Sequence, residues 1–339
     1  MSTQVRLRTY GRYSFNPHAW IQAFGEFNSL LFSQLDQGNY SHVLQFDLSN
    51  FYDSVRLDVL ERWIREEASS EKGWIITLLF YLLNHWNRRN TGLHPQAVGL
   101  PQDALADCSR ILANYYLQKY DKFAASVCDQ IDAMYFRYAD DQMILLNDPC
   151  KVSGLLLLIT RHLDRYSLRV NQKKVYLWKT VDLNKHRCRA IQSIFANKGD
   201  NKKPDLVMKF VNAYLAISKK ELHKSWNHGI PLLNRLIWSN LEALPKHLFK
   251  QIVRRLVSDE YLHCADQKKL KRVFDLNAKM ASPINFTARL KRIGKTCVHN
   301  AYHYEVRAFA ISIDHRNLKR FCDSRLNSLE QQMRSNQIS

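Results

Sequence analysis

Glycine and proline are scarce in this chain, with 10 and 8 among 339 residues. Average usage is well above that, so long loops and dense tight turns are not expected. Cysteine is sparse and unpatterned. The seven, at 108, 128, 150, 188, 264, 297 and 322, are odd in number and form no Cys-x-x-Cys pair. They are expected to be reduced thiols of a cytoplasmic protein. Long apolar runs are missing too. The longest, Trp74 to Leu83 and Gly154 to Thr160, are too short to cross a bilayer, so no membrane partner is expected. Arg6, Arg8 and Arg12 are followed by no apolar core and small-residue cleavage site, which argues against a signal peptide.

What is present is ample core material: 46% hydrophobic and 24% charged residues, a globular composition at a length suited to two domains. The net charge of +19 is unevenly placed. Residues 1–200 hold 24 Lys and Arg against 20 Asp and Glu, whereas residues 201–339 hold 26 against 11. A basic half beside a nearly balanced half points to a polyanion-binding surface attached to a core domain. The segment Asn197 to Pro204, with Gly199 and four charges, is the expected boundary, giving domains 1–200 and 201–339.

Local pattern predicts a helix from His18 to Leu35 and an alternating strand from Ser41 that ends on Asp47. Asp53 or Ser54 is expected to cap a helix from Arg56 to Glu67. An apolar helix over 74–89 follows, and then a Gly/Pro loop, Val98 to Pro101, that feeds a long helix. The run Ala133 to Leu146 reads as two strands joined by a hairpin turn at Asp140-Asp141. Val152 to Tyr166 reads as an amphipathic helix and Leu168 to Leu177 as a turn and strand. Beyond Pro204 the chain is nearly all helical. Asp suits turns for local reasons, so the adjacent pair alone decides nothing. If the strands ending at Asp47 and turning at Asp140 are neighbours, however, three carboxylates converge at one sheet edge. Their repulsion favours bound cations. Hard oxygen ligands suit Mg²⁺, and two such ions ~3.5–4 Å apart serve in-line nucleotidyl transfer.

The run Phe46-Asp47-Leu48-Ser49-Asn50-Phe51-Tyr52-Asp53 resembles the first palm motif of reverse transcriptases. Gly99-Leu100-Pro101-Gln102, with Ser109 and Ala113-Asn114 behind it, resembles the second. Tyr138-Ala139-Asp140-Asp141 resembles the third, and Leu168 to Lys174 the fourth. The order is that of the family, and the resemblance covers roughly residues 10–180. It implies an α/β right-hand polymerase with short fingers, a palm built on an antiparallel sheet, and an all-helical C-terminal thumb or RNA-binding domain. It also implies site residues. Asp47, Asp140 and Asp141 are expected to hold two Mg²⁺ ions with the backbone carbonyl of Leu48, and Lys174 to act on the leaving pyrophosphate. Gln102 is expected to touch the incoming deoxynucleoside triphosphate or the template base beside it, and Arg12 to meet the triphosphate. Tyr52 is expected beneath its sugar, where a ring collides with a 2′-hydroxyl and selects deoxynucleotides.

Departures narrow the reading. Asp103 stands where the family usually has Gly after the motif-two Gln, and only 46 residues precede Asp47, which implies short fingers. The Asn-Ala-x-x-His and Val-Thr-Gly signatures of retron enzymes are absent, as is the Ser-Gln pairing of diversity-generating ones. What remains resembles the bacterial reverse transcriptases of antiphage defence, including the abortive-infection type. The implied partners are an RNA template, a dedicated non-coding RNA, and the DNA product; a homo-oligomer stays open. Two alternatives stand beside RNA-directed DNA synthesis. They are template-independent or protein-primed synthesis at the same site, and a non-catalytic RNA-binding scaffold.

Overall fold

Three apolar runs make the centre of the sheet, and each is apolar because both of its faces are covered. The computed structural model describes residues 8–9, 19–86, 99–101, 107–197, 199–297 and 300–335. Strands β1 (Arg8–Thr9), β2 (His42–Phe46), β3 (Met134–Tyr138), β4 (Asp141–Leu146) and β5 (Tyr176–Lys179) form one sheet in the order β1-β3-β4-β2-β5. All pairings are antiparallel except β1 with β3. Side chains alternate between the faces. Val43, Phe136, Met143 and Leu145 therefore meet Phe27, Leu31 and Leu35 of helix α1 (Ala19–Asp36) on one side. Leu44, Phe46, Tyr135, Ile144 and Leu146 face the other way, into a core closed by four further helices. These are α3 (Leu57–Glu67), α4 (Gly73–His85), α5 (Asp107–Gln130) and α6 (Val152–Asp164); the short α2 (Phe51–Ser54) precedes them.

The expected cap on the helix after Tyr52 is not used. Helix α2 stops at Ser54 and α3 starts afresh, with Arg56 at its N-cap position and no side-chain cap bond. Instead the Arg56 guanidinium pairs with Asp58 inside the first turn. The reason is Val55, which is extended and buried, so the chain must leave helical geometry to insert it.

The chain divides into two compact units at Leu183 and Asn184. The segment 184–200 belongs to the second because Ile191, Ile194 and Phe195 pack into its core, so the Asn197–Pro204 loop lies inside that unit. The described residues of the second unit are helical throughout, built on a core that includes Phe210, Leu236, Ile252, Leu270, Leu290 and Phe309. It carries 30 Lys and Arg against 12 Asp and Glu, which is +18 of the net +19. No described helix is long and apolar enough to cross a membrane.

Candidate active site

Strand β2 runs out at Phe46, paired with Gln142, and continuing that register one step sets Asp47 level with Asp141 at the start of β4. Asp140 occupies the two-residue turn between β3 and β4, since Tyr138 and Asp141 are the last pair of that hairpin. Strand pairing alone therefore brings the three carboxylates to one end of the sheet. A third segment closes the group from the other side of β2. Leu48 bridges Val170, flanked by Ser49 N–H to the Arg169 carbonyl at 2.8 Å and Asn171 N–H to the Asp47 carbonyl at 2.9 Å. In such a ladder alternate residues turn their backbone groups to opposite sides, so the Leu48 carbonyl faces away from this bridge. Past Asn171 the short 3₁₀ turn Gln172–Lys174 delivers the Lys174 ammonium to Asp47 Oδ2, to which it donates a hydrogen bond.

The electrostatics follow from burial. Asp47 is buried, and its Oδ1 has no hydrogen-bond partner. Burial, and then the nearby negative charge of Asp47, push the Asp140 carboxyl above the usual carboxylate range. The Lys174 ammonium is held above its ordinary value, first by its hydrogen bond to Asp47. The charges of Asp47, Asp141 and Asp140 add to that. One lysine thus feels all three acids. Among the described residues no three His, Cys, Asp or Glu side chains are already grouped as a metal cage.

Tyr52 lies on α2, half-buried, with its ring against Phe51 at 5.4 Å. Its carbonyl accepts the Leu100 N–H at 2.9 Å, which ties the first motif to the Gly-Leu-Pro loop. Gly99 cannot be another residue there. Its φ is +58°, and a Cβ would stand 2.0 Å from the Tyr52 carbonyl oxygen. Gln102 and Arg12 lie outside the described residues.

Sequence reasoning passed over the group that holds the turn. Arg137, on β3, and Asp121, on α5, are almost wholly buried. The guanidinium donates two bonds to the Asp121 carboxylate, at 2.7 and 2.6 Å. It donates further to Asn114 Oδ1 at 2.9 Å and to the Ala139 carbonyl at 2.8 Å. Ala139 has φ +53°, a left-handed conformation that costs an L-residue with a Cβ roughly 1–2 kcal/mol. The arginine therefore fastens a strained peptide immediately before Asp140 and ties it to the helix behind motif two. Tyr135 donates to Asp121 at 2.9 Å, and Tyr120 donates to Gln142. The available signal was periodic: Asn114, Leu117 and Asp121 share a helix face, and Arg137 shares a strand face with Tyr135. His263 brings its Nε2 to 3.5 Å from the Cys297 sulfur.

Residues 4–209 match the family described as reverse transcriptase (RNA-dependent DNA polymerase). This chain belongs to the reverse transcriptase family. The family is one of nucleotidyltransferases, and the antiparallel sheet within a mostly helical chain is its right-hand polymerase fold. No curated protein matches the chain. Similar solved structures include telomerase from Candida albicans in complex with a TWJ fragment of telomeric RNA. That match has 15% identity and a TM-score of 0.36, and covers 79% of this chain and 49% of the other. Telomerase from Candida tropicalis is similar both with such a fragment and without it. With the fragment, identity is 12%, coverage 88% and 52%, and the TM-score 0.39. The apo form has 10% identity, coverage of 94% and 58%, and a TM-score of 0.34. The reverse transcriptase chain described here spans about half the length of those telomerase chains.

Proposed function

We propose that this reverse transcriptase copies RNA into DNA at the end of β2 and the β3–β4 hairpin, with Asp47, Asp140 and Asp141 as its acidic residues. The observation that carries the reading is the single ammonium of Lys174, bonded to Asp47 and drawn by all three carboxylates. The residues fit two Mg²⁺ ions. A buried carboxylate oxygen without a partner, beside a second carboxyl disfavoured as an anion by burial, is what a hard cation relieves. Asp47, Asp140, Asp141 and the Leu48 carbonyl would hold them. Such ions, when bound, activate the primer hydroxyl and neutralise the departing pyrophosphate.

The chain's own groups do the rest. Arg137 keeps the Ala139–Asp140 turn in place, and Lys174 would neutralise or protonate the leaving pyrophosphate. Tyr52 excludes a 2′-hydroxyl, which makes deoxynucleotides the substrates. Gln102 keeps the role that the second motif gives it, against the incoming nucleotide or the template base beside it, and Arg12 is the finger residue for the triphosphate. The second unit, with +18 of the charge, is the thumb and grips RNA through its phosphates. The finer assignment is to the defence-associated, abortive-infection type, acting against phage with a dedicated non-coding RNA. The cytoplasm is its compartment, in keeping with seven free thiols.

Primer extension on an RNA template tests the site. Asp140→Asn is expected to abolish deoxynucleotide incorporation while RNA binding stays within about twofold. Incorporation at near the wild-type rate would refute the assignment.

A further inference from the structure

The second unit contains a cavity of about 520 Å³ where five helices meet. They are Pro204–Ala216, Lys219–Lys224, Ile230–Leu236, Lys246–Leu256 and Asp259–His263. That volume is typical of a small-molecule site. Its wall collects basic groups: Lys219, His223, His228, Arg254 and Arg255. Glu260 is the one acid that lines it.

The unit has too few acids for its cations, 12 Asp and Glu against 30 Lys and Arg, and several of those acids are committed to other partners. Glu242 pairs with Arg272 and Lys279, and Asp323 with Arg307. Asp259, adjacent to Glu260, turns to Arg289 and Arg292. Glu221 caps its own helix through Ser218. Lys219, Arg254 and Arg255 have no hydrogen-bond or ion-pair partner among the described residues. Three fixed positive charges around one cavity repel each other, and a bound anion removes that repulsion.

The lining also has an apolar and aromatic part, from Leu222, Ile230, Leu233 and the buried rings of Tyr214 and Tyr261. The turn beside it is folded back tightly. His228 and Gly229 both have positive φ, at 53° and 74°, and a Cβ on Gly229 would lie 2.7 Å from Leu222 Cδ2. This holds the His228 ring edge-on to that of His223, with centroids 5.3 Å apart. Cations together with apolar and ring surfaces in one cavity match a ligand with a charged head and a flat, weakly polar body.

We infer that this cavity binds a nucleoside 5′-phosphate, either as a free nucleotide or as the 5′-terminal nucleotide of an RNA. Arg254, Arg255 and Lys219 take the phosphate, and the base lies toward Leu222, Ile230 and the histidine rings. All of its lining residues belong to the second unit, and its assignment does not depend on polymerase activity.

The test is equilibrium binding by the full chain in EDTA, where metal-dependent nucleotide binding at the acidic site is silent. The probes are fluorescent ADP and an RNA decamer carrying either a 5′-phosphate or a 5′-hydroxyl. Arg254→Ala and Lys219→Ala, both at exposed positions, are each expected to weaken binding about tenfold, the order of one charge-assisted hydrogen bond. Arg254→Lys should retain most of it, and Asp140→Asn all of it. Loss for ADP identifies the free nucleotide as the source. Loss confined to the 5′-phosphorylated RNA identifies the RNA end. The inference is overturned if wild-type protein does not distinguish 5′-phosphate from 5′-hydroxyl RNA and does not bind ADP. It is overturned equally if the alanine variants bind as wild type does. A failed polymerase assignment would appear only in primer extension, so the two readings fail separately.

Discussion

Arg137→Met removes the guanidinium from a group that has no access to water. Arg137 and Asp121 side chains are 3% and 1% exposed, so the Asp121 carboxylate would be left buried and unpaired. Breaking a buried pair in this one-sided way costs about 3–5 kcal/mol. The Asn114 and Ala139 oxygens lose a donor as well. Urea unfolding followed by tryptophan fluorescence should therefore show a first-unit transition destabilised by about 3–5 kcal/mol. Asp121→Asn/Arg137→Met removes both charges and should recover at least about 2 kcal/mol of that loss, a coupling read from the double-mutant cycle. Stability and positioning then separate. The double variant still lacks the donor to the Ala139 carbonyl, so the left-handed peptide before Asp140 loses that restraint. Its deoxynucleotide incorporation should stay at least tenfold below wild type although its fold is restored. Additive single-variant losses would refute the pairing argument. Full activity in the double variant would refute the positioning role.

Three further outcomes follow from the same geometry. Gly99→Ala puts a Cβ against the Tyr52 carbonyl and forces a left-handed φ, so first-unit stability should fall by at least about 1–3 kcal/mol in chemical denaturation. Tyr52→Ala should raise ribonucleotide incorporation relative to deoxynucleotide at least tenfold in single-nucleotide extension; an unchanged ratio would show that Tyr52 is not the gate. Asp140 has its folded pKa raised, so the wild-type carboxyl destabilises the fold once pH exceeds that value and not below the unfolded value. Asp140→Asn should accordingly raise the melting temperature at pH 7–8, with the gain disappearing toward pH 4. A gain that grows on acidification would contradict the sign.

The elements of the sheet were legible in the chain because their information is local. An alternating strand ending at Asp47, and two β-rich runs joined at Asp140-Asp141, announce themselves through composition and turn chemistry. The family motifs then ordered these elements, and residues 4–209 bear out that membership. The break at Val55 was not legible, since nothing nearby in sequence says that a valine must be driven into a core made by distant helices. The same holds for the division at Leu183, which depends on where Ile191 and Phe195 find apolar partners and not on the polar loop after them.

Charge is divided in the same manner. Its total and its bias toward the C-terminal half are sums over residue types and belong to the sequence. Which charges are neutralised is a matter of three-dimensional distance. Arg137 meets Asp121 across 16 positions, and Lys174 meets Asp47 across 127. Lys219, Arg254 and Arg255 gather around one cavity while neighbouring acids find other partners. Coulomb energy depends on separation and burial, and the order of residues along a chain specifies neither until the chain is packed.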